Sequence, residues 1–422
     1  VGEFAKPDDV TNGCNWSLRY HKAQNRLARF LGLNRNIMAL LTAIVVIGAG
    51  EEMWMRFVPK YLEALGASVL VIGLFDALKT LLGAIYAYPG GVLADRWGHR
   101  RSLVAFNVLS IAGYTIVLAI PHWSAVIAGM FLFLAWSCFS LPATFSLIGT
   151  ALTADKHAMG IGMQSLVKRI PVLFGPILGG LLIDRFGLIP GVRIALGISI
   201  ALGIITIFFQ QRILEEIKAP AREVYGFFGT LRSFPSPLRR LLLSDILIRF
   251  CERLPYAWVV IYAMNTGGVS GLQVGYLTGI EILVAMACFI PVSHLADKYG
   301  REPFVIATFI FFTLFPVTLL RATSFPLLAL AFAVRGLKEF GEPARKALII
   351  GHCPAERRGQ MVGAYYLVRD LVVTPGALLG ALLWEVGPHV NFWGAAVLGA
   401  TGTIYYMLTA RSTPATTSAG SQ

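Results

Sequence analysis

Twelve apolar runs of helical length constrain this chain more than any other feature. They fall near residues 37–60, 68–93, 102–120, 124–152, 158–183 and 189–210, then near 239–264, 270–294, 303–321, 325–351, 360–384 and 390–408. A bilayer core about 30 Å thick takes roughly 20 apolar residues per helical pass. Only helices and closed barrels satisfy their own backbone in hydrocarbon. The chain therefore reads as an all-α membrane protein with twelve transmembrane helices. With 56% of its 422 residues hydrophobic and 14% charged, it has no room for a large soluble catalytic domain, and no enzyme is expected.

The excess of 36 Lys and Arg over 23 Asp and Glu is a signal of topology. Arg96, Arg100, Arg101, Lys298, Arg301, Arg357 and Arg358 sit in short loops that alternate with nearly charge-free ones, such as Pro121-His122-Trp123. The positive-inside rule then places both termini in the cytoplasm, with the protein in the inner membrane if the source is a bacterium. Scattered bases of this kind form no continuous patch, so no nucleic-acid partner is expected. Basic stretches with interleaved aromatics at 16–33 and 223–243 suit either surface-lying helices or plain cytoplasmic linkers. Cysteines at 14, 138, 251, 288 and 353 lack metal-ligand spacing, and neither a metal site nor a disulfide is expected. No P-loop is present, and no cofactor is expected. No apolar run precedes residue 37, so the first span is expected to serve as the insertion signal.

The polar stretch at 211–238 divides the chain into two halves that repeat one another. GVLADRWGHRR at 91–101 aligns with SHLADKYGREP at 293–303, and Leu141-Pro142-Ala143 with Glu342-Pro343-Ala344. GPILGGLLIDRFG at 175–187 aligns with PGALLGALLWEVG at 375–387, which superimposes Arg169 on Arg369. Internal repeats between halves are a common building plan of secondary transporters. The expected organisation is a cytoplasmic segment at 1–36, six helices at 37–210, a cytoplasmic linker at 211–238, six helices at 239–408 and a cytoplasmic tail at 409–422.

Gly91, Asp95, Arg96, Gly98, Arg100 and Arg101 resemble the signature loop between helices 2 and 3 of the major facilitator superfamily, G-x-x-x-D-R-x-G-x-R-R. In the second copy Asp297 is retained, while Ser293 replaces the leading Gly and Glu302-Pro303 the basic pair. The resemblance implies two pseudo-symmetric six-helix bundles around a central cavity, alternating access, and a cytoplasmic gate at these loop residues. Drug antiporters of this family carry an Arg in helix 4 and a longer glycine series in helix 5. Here helix 4 is uncharged, and Gly175-Pro176-x-x-Gly179-Gly180 remains in helix 5. GEEMWMRFVPKYL in helix 1 also resembles the corresponding helix of ferroportin-type exporters, which implies a divalent-metal alternative.

Ionisable groups at bilayer depth are costly unless they face a cavity or one another, so they are functional candidates. Near mid-span stand the acids Glu51, Glu52, Asp76, Asp245, Glu252, Glu281, Glu339, Glu342 and Asp370, against the bases Arg56, Lys79, Lys168, Arg169, Arg249, Arg253, Arg335, Lys338 and Arg369. Helices 3, 9 and 12 carry none and are expected to face lipid. Spacing of three or four predicts same-helix pairs for Glu52/Arg56, Asp76/Lys79, Asp245/Arg249, Arg249/Glu252, Arg335/Glu339 and Lys338/Glu342. Glu51, Glu281, Arg169 and Arg369 lack such neighbours. Arg169 with Glu281, and Arg369 with Asp76, are expected to bridge the bundles, to bind solute, or both.

The sequence thus predicts a secondary active transporter for a small charged or zwitterionic organic solute, a monomer in the bilayer, coupled to protons in preference to sodium. Solute binding is assigned to Arg169, Arg369, Arg335, Lys338, Lys79 and Arg249, and proton coupling to Glu51, Glu281 and Glu252. Drug or amphiphile efflux is the main alternative. Pro142, Pro171, Pro343 and Pro375 are candidates for helix bends, and Gly175, Gly179 and Gly180 for close helix packing.

Overall fold

The computed structural model describes residues 35–151, 157–213, 227–354 and 358–410. These are helical throughout apart from short connections. The first six passes are α1 (Arg35–Met55) with α2 (Val58–Ala64), α3 (Val69–Trp97), α4 (His99–Ala119), α5 (Trp123–Ala151), α6 (His157–Phe186) and α7 (Leu188–Ile213). A short α8 (Phe227–Arg232) precedes the second six. These are α9 (Ser236–Arg253) with α10 (Trp258–Asn265), α11 (Gly271–Tyr299), α12 (Glu302–Leu320), α13 (Phe325–Leu337) with α14 (Glu342–Gly351), α15 (Arg358–Val373) with α16 (Pro375–Val386), and α17 (Pro388–Ala410). The predicted twelve passes are all present, and most run a few residues further than expected because the loops are very short.

Four passes are broken in mid-membrane, each beside a proline. Pro59 lies in the first turn of α2, Pro255 in the gap before α10, Pro343 in the first turn of α14, and Pro375 heads α16. Proline has no N–H and disfavours helical backbone in the residue before it, so the ladder stops there. Of the anticipated bends, Pro343 and Pro375 mark breaks. Pro142 and Pro171 lie inside the continuous helices α5 and α6.

The repeat survives in backbone detail. Among the described residues, positive φ occurs only at glycine, and the six cases form three pairs about 200 residues apart. These are Gly66 and Gly268 (78° and 62°), Gly98 and Gly300 (87° and 90°), and Gly187 and Gly387 (87° and 156°). Each pair turns the chain at equivalent places in the two halves, where a Cβ would be strained. The bundles also meet by equivalent contacts. A Cβ on Gly73 of α3 would lie 2.6 Å from the Ala381 Cβ of α16, and one on Gly275 of α11 would lie 2.6 Å from the Ile177 Cα of α6. Small residues at both sites let the backbones approach closely. Gly175, Gly179 and Gly180 do the same against Glu52, Met53 and Gly271.

Most of the predicted terminal segments 1–36 and 409–422, and residues 214–226 of the predicted linker 211–238, lie outside the described residues. The rest of the linker contains α8 and the start of α9, and Phe234 is buried in a cluster with Leu238, Leu241 and Tyr365. Trp54 packs edge-on against Tyr114 and Phe133, and Trp258 stacks on Trp384 at 4.9 Å. Both rings belong to the core.

Candidate functional site

A cavity of about 1170 Å³ lies between the two bundles. Its walls come from α1, α3, α5 and α6 on one side and from α9, α14 and α15 on the other. Among the described residues none of α4, α7, α12 or α17 lines it. The predicted lipid-facing helices 3, 9 and 12 are therefore away from the cavity. Chain direction gives its orientation. On every lining helix the cavity extends toward the face that carries the basic loops at Trp97–His99 and Gly300–Arg301, and it stops at a roof made by Met55, Lys79, Leu134, Val172, Tyr256 and Val373.

Beyond the roof the bundles are tied together. Lys60 bonds Glu63 at 2.5 Å and donates to Asn265, whose Nδ2 donates to Glu63 at 2.9 Å. Asp184 at the end of α6 accepts the first amides of α11, from Gly271 at 2.7 Å and Leu272 at 3.0 Å. It caps a helix of the opposite bundle.

The second-half wall is built on a continuous series of ion pairs. Arg56, in the break between α1 and α2, crosses the interface to Glu281 at 2.6 Å. Glu281 also meets Arg335 at 3.2 Å and Lys338 at 3.9 Å. Lys338 reaches Glu252 at 2.7 Å, Glu252 reaches Arg249 at 2.7 Å, and Arg249 reaches Glu342 at 2.7 Å. The series continues through Arg345 at 2.8 Å to Asp245 at 2.5 Å, then to Arg369 at 3.5 Å and Asp370 at 2.7 Å. Signs alternate along the series, and with Arg335 counted five acids stand against six bases, so its charge at bilayer depth is nearly balanced. Two further pairs cross the interface, Asp76 with Arg253 at 3.5 Å and Arg169 with Glu339 at 3.7 Å.

The expected partners are therefore largely exchanged. Glu281 is held by Arg56 rather than Arg169, and Asp76 by Arg253 rather than Arg369. Of the same-helix pairs, Asp245/Arg249 forms at 3.8 Å and Arg249/Glu252 at 2.7 Å. Glu52/Arg56, Arg335/Glu339 and Lys338/Glu342 straddle helix breaks, where four-residue spacing no longer stacks side chains. Within continuous α3, Asp76/Lys79 does not form either, because Asp76 is engaged by Arg253 across the interface.

The first-half wall is different. Glu51, Glu52, Lys79 and Lys168 all line the cavity. Among the described residues none of them has an opposite charge within 4.0 Å. Glu51 is 9% exposed and accepts a hydrogen bond from the Ser137 hydroxyl. Around them the wall is apolar, with Met55, Leu134, Trp136 and Val172.

Of the predicted gate residues, Gly98 turns the chain at the N-cap of α4 and Arg96 is exposed. Arg100 and Arg101 lie in the first turn of α4. The surroundings of Gly91, Asp95 and Asp297 lie outside the described residues. Three site residues escaped the sequence reading. Arg345 is 2% exposed and donates to both Asp245 and Glu342. Its place one turn after Glu342 was the available signal. Tyr365 donates to Asp245 at 3.1 Å, and Tyr256 follows the helix-breaking Pro255. Among the described residues no three His, Cys, Asp or Glu gather as metal ligands.

The sequence pattern of the Major Facilitator Superfamily matches residues 40–268 and 241–422, which covers both halves of this architecture. The chain belongs to this superfamily. It is an integral, multi-pass membrane transporter. The multidrug resistance protein MdtG of Yersinia enterocolitica is 26% identical over 367 residues, 82% of this chain and 86% of its own. That of Citrobacter koseri is 24% identical over 362 residues, 83% and 88%. A POT family transporter in complex with 5-aminolevulinic acid superimposes with a TM-score of 0.73 at 15% identity, covering 90% of this chain and 96% of the other. The human organic anion transporter MFSD10 gives 0.64 at 15% identity, covering 88% and 99%. These structures share the superfamily fold.

Proposed function

We propose that this superfamily member is a proton-coupled carrier, working by alternating access, for a small charged or zwitterionic organic solute. One observation carries the reading. Among the described residues the cavity charges of the first-half wall without ion-pair partners are Glu51, Glu52, Lys79 and Lys168, two of each sign among largely apolar neighbours. Arg169, Arg249, Arg335, Lys338 and Arg369 are engaged by carboxylates, so their part is to hold and rearrange the bundles, and they meet solute only by exchanging partners. Glu51 is the first choice for the coupling acid, because Glu252 and Glu281 are each held by bases.

The positive-inside rule supports a cytoplasmic basic face, which makes the described state open to the cytoplasm. The halves at 37–210 and 239–408 would then rock about the Gly73 and Gly275 contacts. Opening the far side would part Arg56 from Glu281 and Asp184 from α11. Export of amphiphilic drugs is the second reading, favoured by the names of the MdtG relatives and by the apolar residues among the four charges.

The test is uptake into sealed proteoliposomes with and without an imposed pH gradient, across organic acids, amino acids, amines and hydrophobic cations. Accumulation of charged metabolites that collapses with the gradient supports the first reading. Accumulation of hydrophobic cations alone favours the second, and none with any compound sinks both.

A further inference from the structure

Tyr256 sits at the roof of the cavity, in the break between α9 and α10, with three cations around its ring. Lys79 Nζ lies 6.0 Å from the ring centroid, Arg253 Cζ 5.2 Å and Arg335 Cζ 5.8 Å. Each is within range of a cation–π contact. Two of the three cations have acids to balance them, Asp76 at 3.5 Å from Arg253 and Glu281 at 3.2 Å from Arg335. Lys79 has none within 4.0 Å among the described residues. Nor, among those residues, does the Tyr256 hydroxyl have a hydrogen-bond partner. Lys79, Arg253 and Tyr256 all line the cavity, so an ammonium and a phenol O–H with unused donor capacity share its innermost surface.

Positive charge gathered at bilayer depth is costly and calls for a counter-charge. The acids of the same wall, Glu51 and Glu52, line the cavity with Lys79 but do not reach it within ion-pair distance. An anion entering from the open side is the group that fits. An oxyanion offers two acceptors, one for the Lys79 ammonium and one for the Tyr256 hydroxyl, with the Arg253 guanidinium beside them. We propose that Lys79, Tyr256 and Arg253 form the head-group subsite of the transporter and bind the oxyanion of an organic acid, a carboxylate or its equivalent. The body of the solute lies below it, on the open side of the roof. The assignment rests on the reading of this cavity as the solute site and adds the sign and place of the group that enters deepest. Glu51 and Glu52 are left to meet the positive end of a zwitterion or the coupling proton.

The test uses three probes with one apolar body and different heads: naphthylacetate, naphthylethylammonium and naphthylethanol. Binding is measured by calorimetry on the full chain in detergent, for the parent protein and for Lys79→Gln, Lys79→Arg and Tyr256→Phe. Thermal midpoints without ligand report folding separately. Naphthylacetate affinity is expected to fall about tenfold in Lys79→Gln and about threefold in Tyr256→Phe, and to be largely kept in Lys79→Arg. The amine and the alcohol should be unaffected. If the acid binds equally well to all four proteins, or only the amine and alcohol bind, the head-group subsite is wrong while the cavity reading stands. If none of the three binds, both fall together.

Discussion

The two halves of this transporter share a backbone plan, yet they treat buried charge in opposite ways. In the second half Asp245, Arg249, Glu252, Lys338, Glu342 and Arg345 interlock at 2.5 to 2.8 Å. In the first half Glu51, Glu52, Lys79 and Lys168 stand in an apolar wall without ionic partners among the described residues. A self-neutralising set is rigid and indifferent to a passing ion, whereas unpartnered groups respond to one. On this comparison the second half mainly supplies scaffolding, while the proposed recognition draws on the first half, with Arg253 and Tyr256 of the second at the roof.

The sharpest way to break it is Arg345→Met. Removing one member of a buried pair leaves Asp245 and Glu342 uncompensated, and a loss of about 3–5 kcal/mol is expected. The measurement is the yield and thermal midpoint of the purified protein. A midpoint like the parent's would show that the network is not structural.

Next is the link between the halves. Glu281→Gln should cost about 1–3 kcal/mol, since it weakens three ionic contacts while keeping the shape. Transport is expected to fall with it, and Arg56→Gln, which removes only the cross-bundle contact and leaves Glu281 to Arg335 and Lys338, should slow transport at a smaller cost in stability. Unchanged transport in Arg56→Gln would remove Arg56 and Glu281 from the gate. Gly275→Val tests the contact proposed as a pivot between the bundles. Its side chain would meet α6 backbone, with an expected cost of about 1–3 kcal/mol and slowed exchange in proteoliposomes.

Smallest in stability, and most telling for recognition, is Glu51→Gln. With no salt bridge to lose, the thermal midpoint should move by the equivalent of only about 0.5 kcal/mol. Solute-driven proton movement should be abolished. Intact proton movement in this variant would pass the coupling role to another acid.

The spans and the repeat were legible because a lipid-crossing helix must be long and apolar, and because equivalent glycines turn the chain in both halves. Which acid meets which base was not. Spacing rules assume a continuous helix, and the breaks beside Pro59 and Pro343 fall between the members of three expected pairs. Only Asp245, Arg249 and Glu252, all inside α9, pair as the spacing required. Cross-bundle partners such as Arg56 and Glu281 are set by tertiary approach, which no local pattern encodes. Arg345, absent from the set of mid-span bases, joins Asp245 to Glu342 within the network.

The cap that Asp184 places on α11 gives the molecule a built-in clock. The amides of Gly271 and Leu272 are held by a carboxylate that belongs to the other bundle. In the proposed cycle the bundles would part on that face, and both amides would turn to water and exchange their hydrogens. Deuterium uptake at these two positions would therefore rise with the population of far-side openings, without a label or a known solute, and would report on the proposed transport cycle from within.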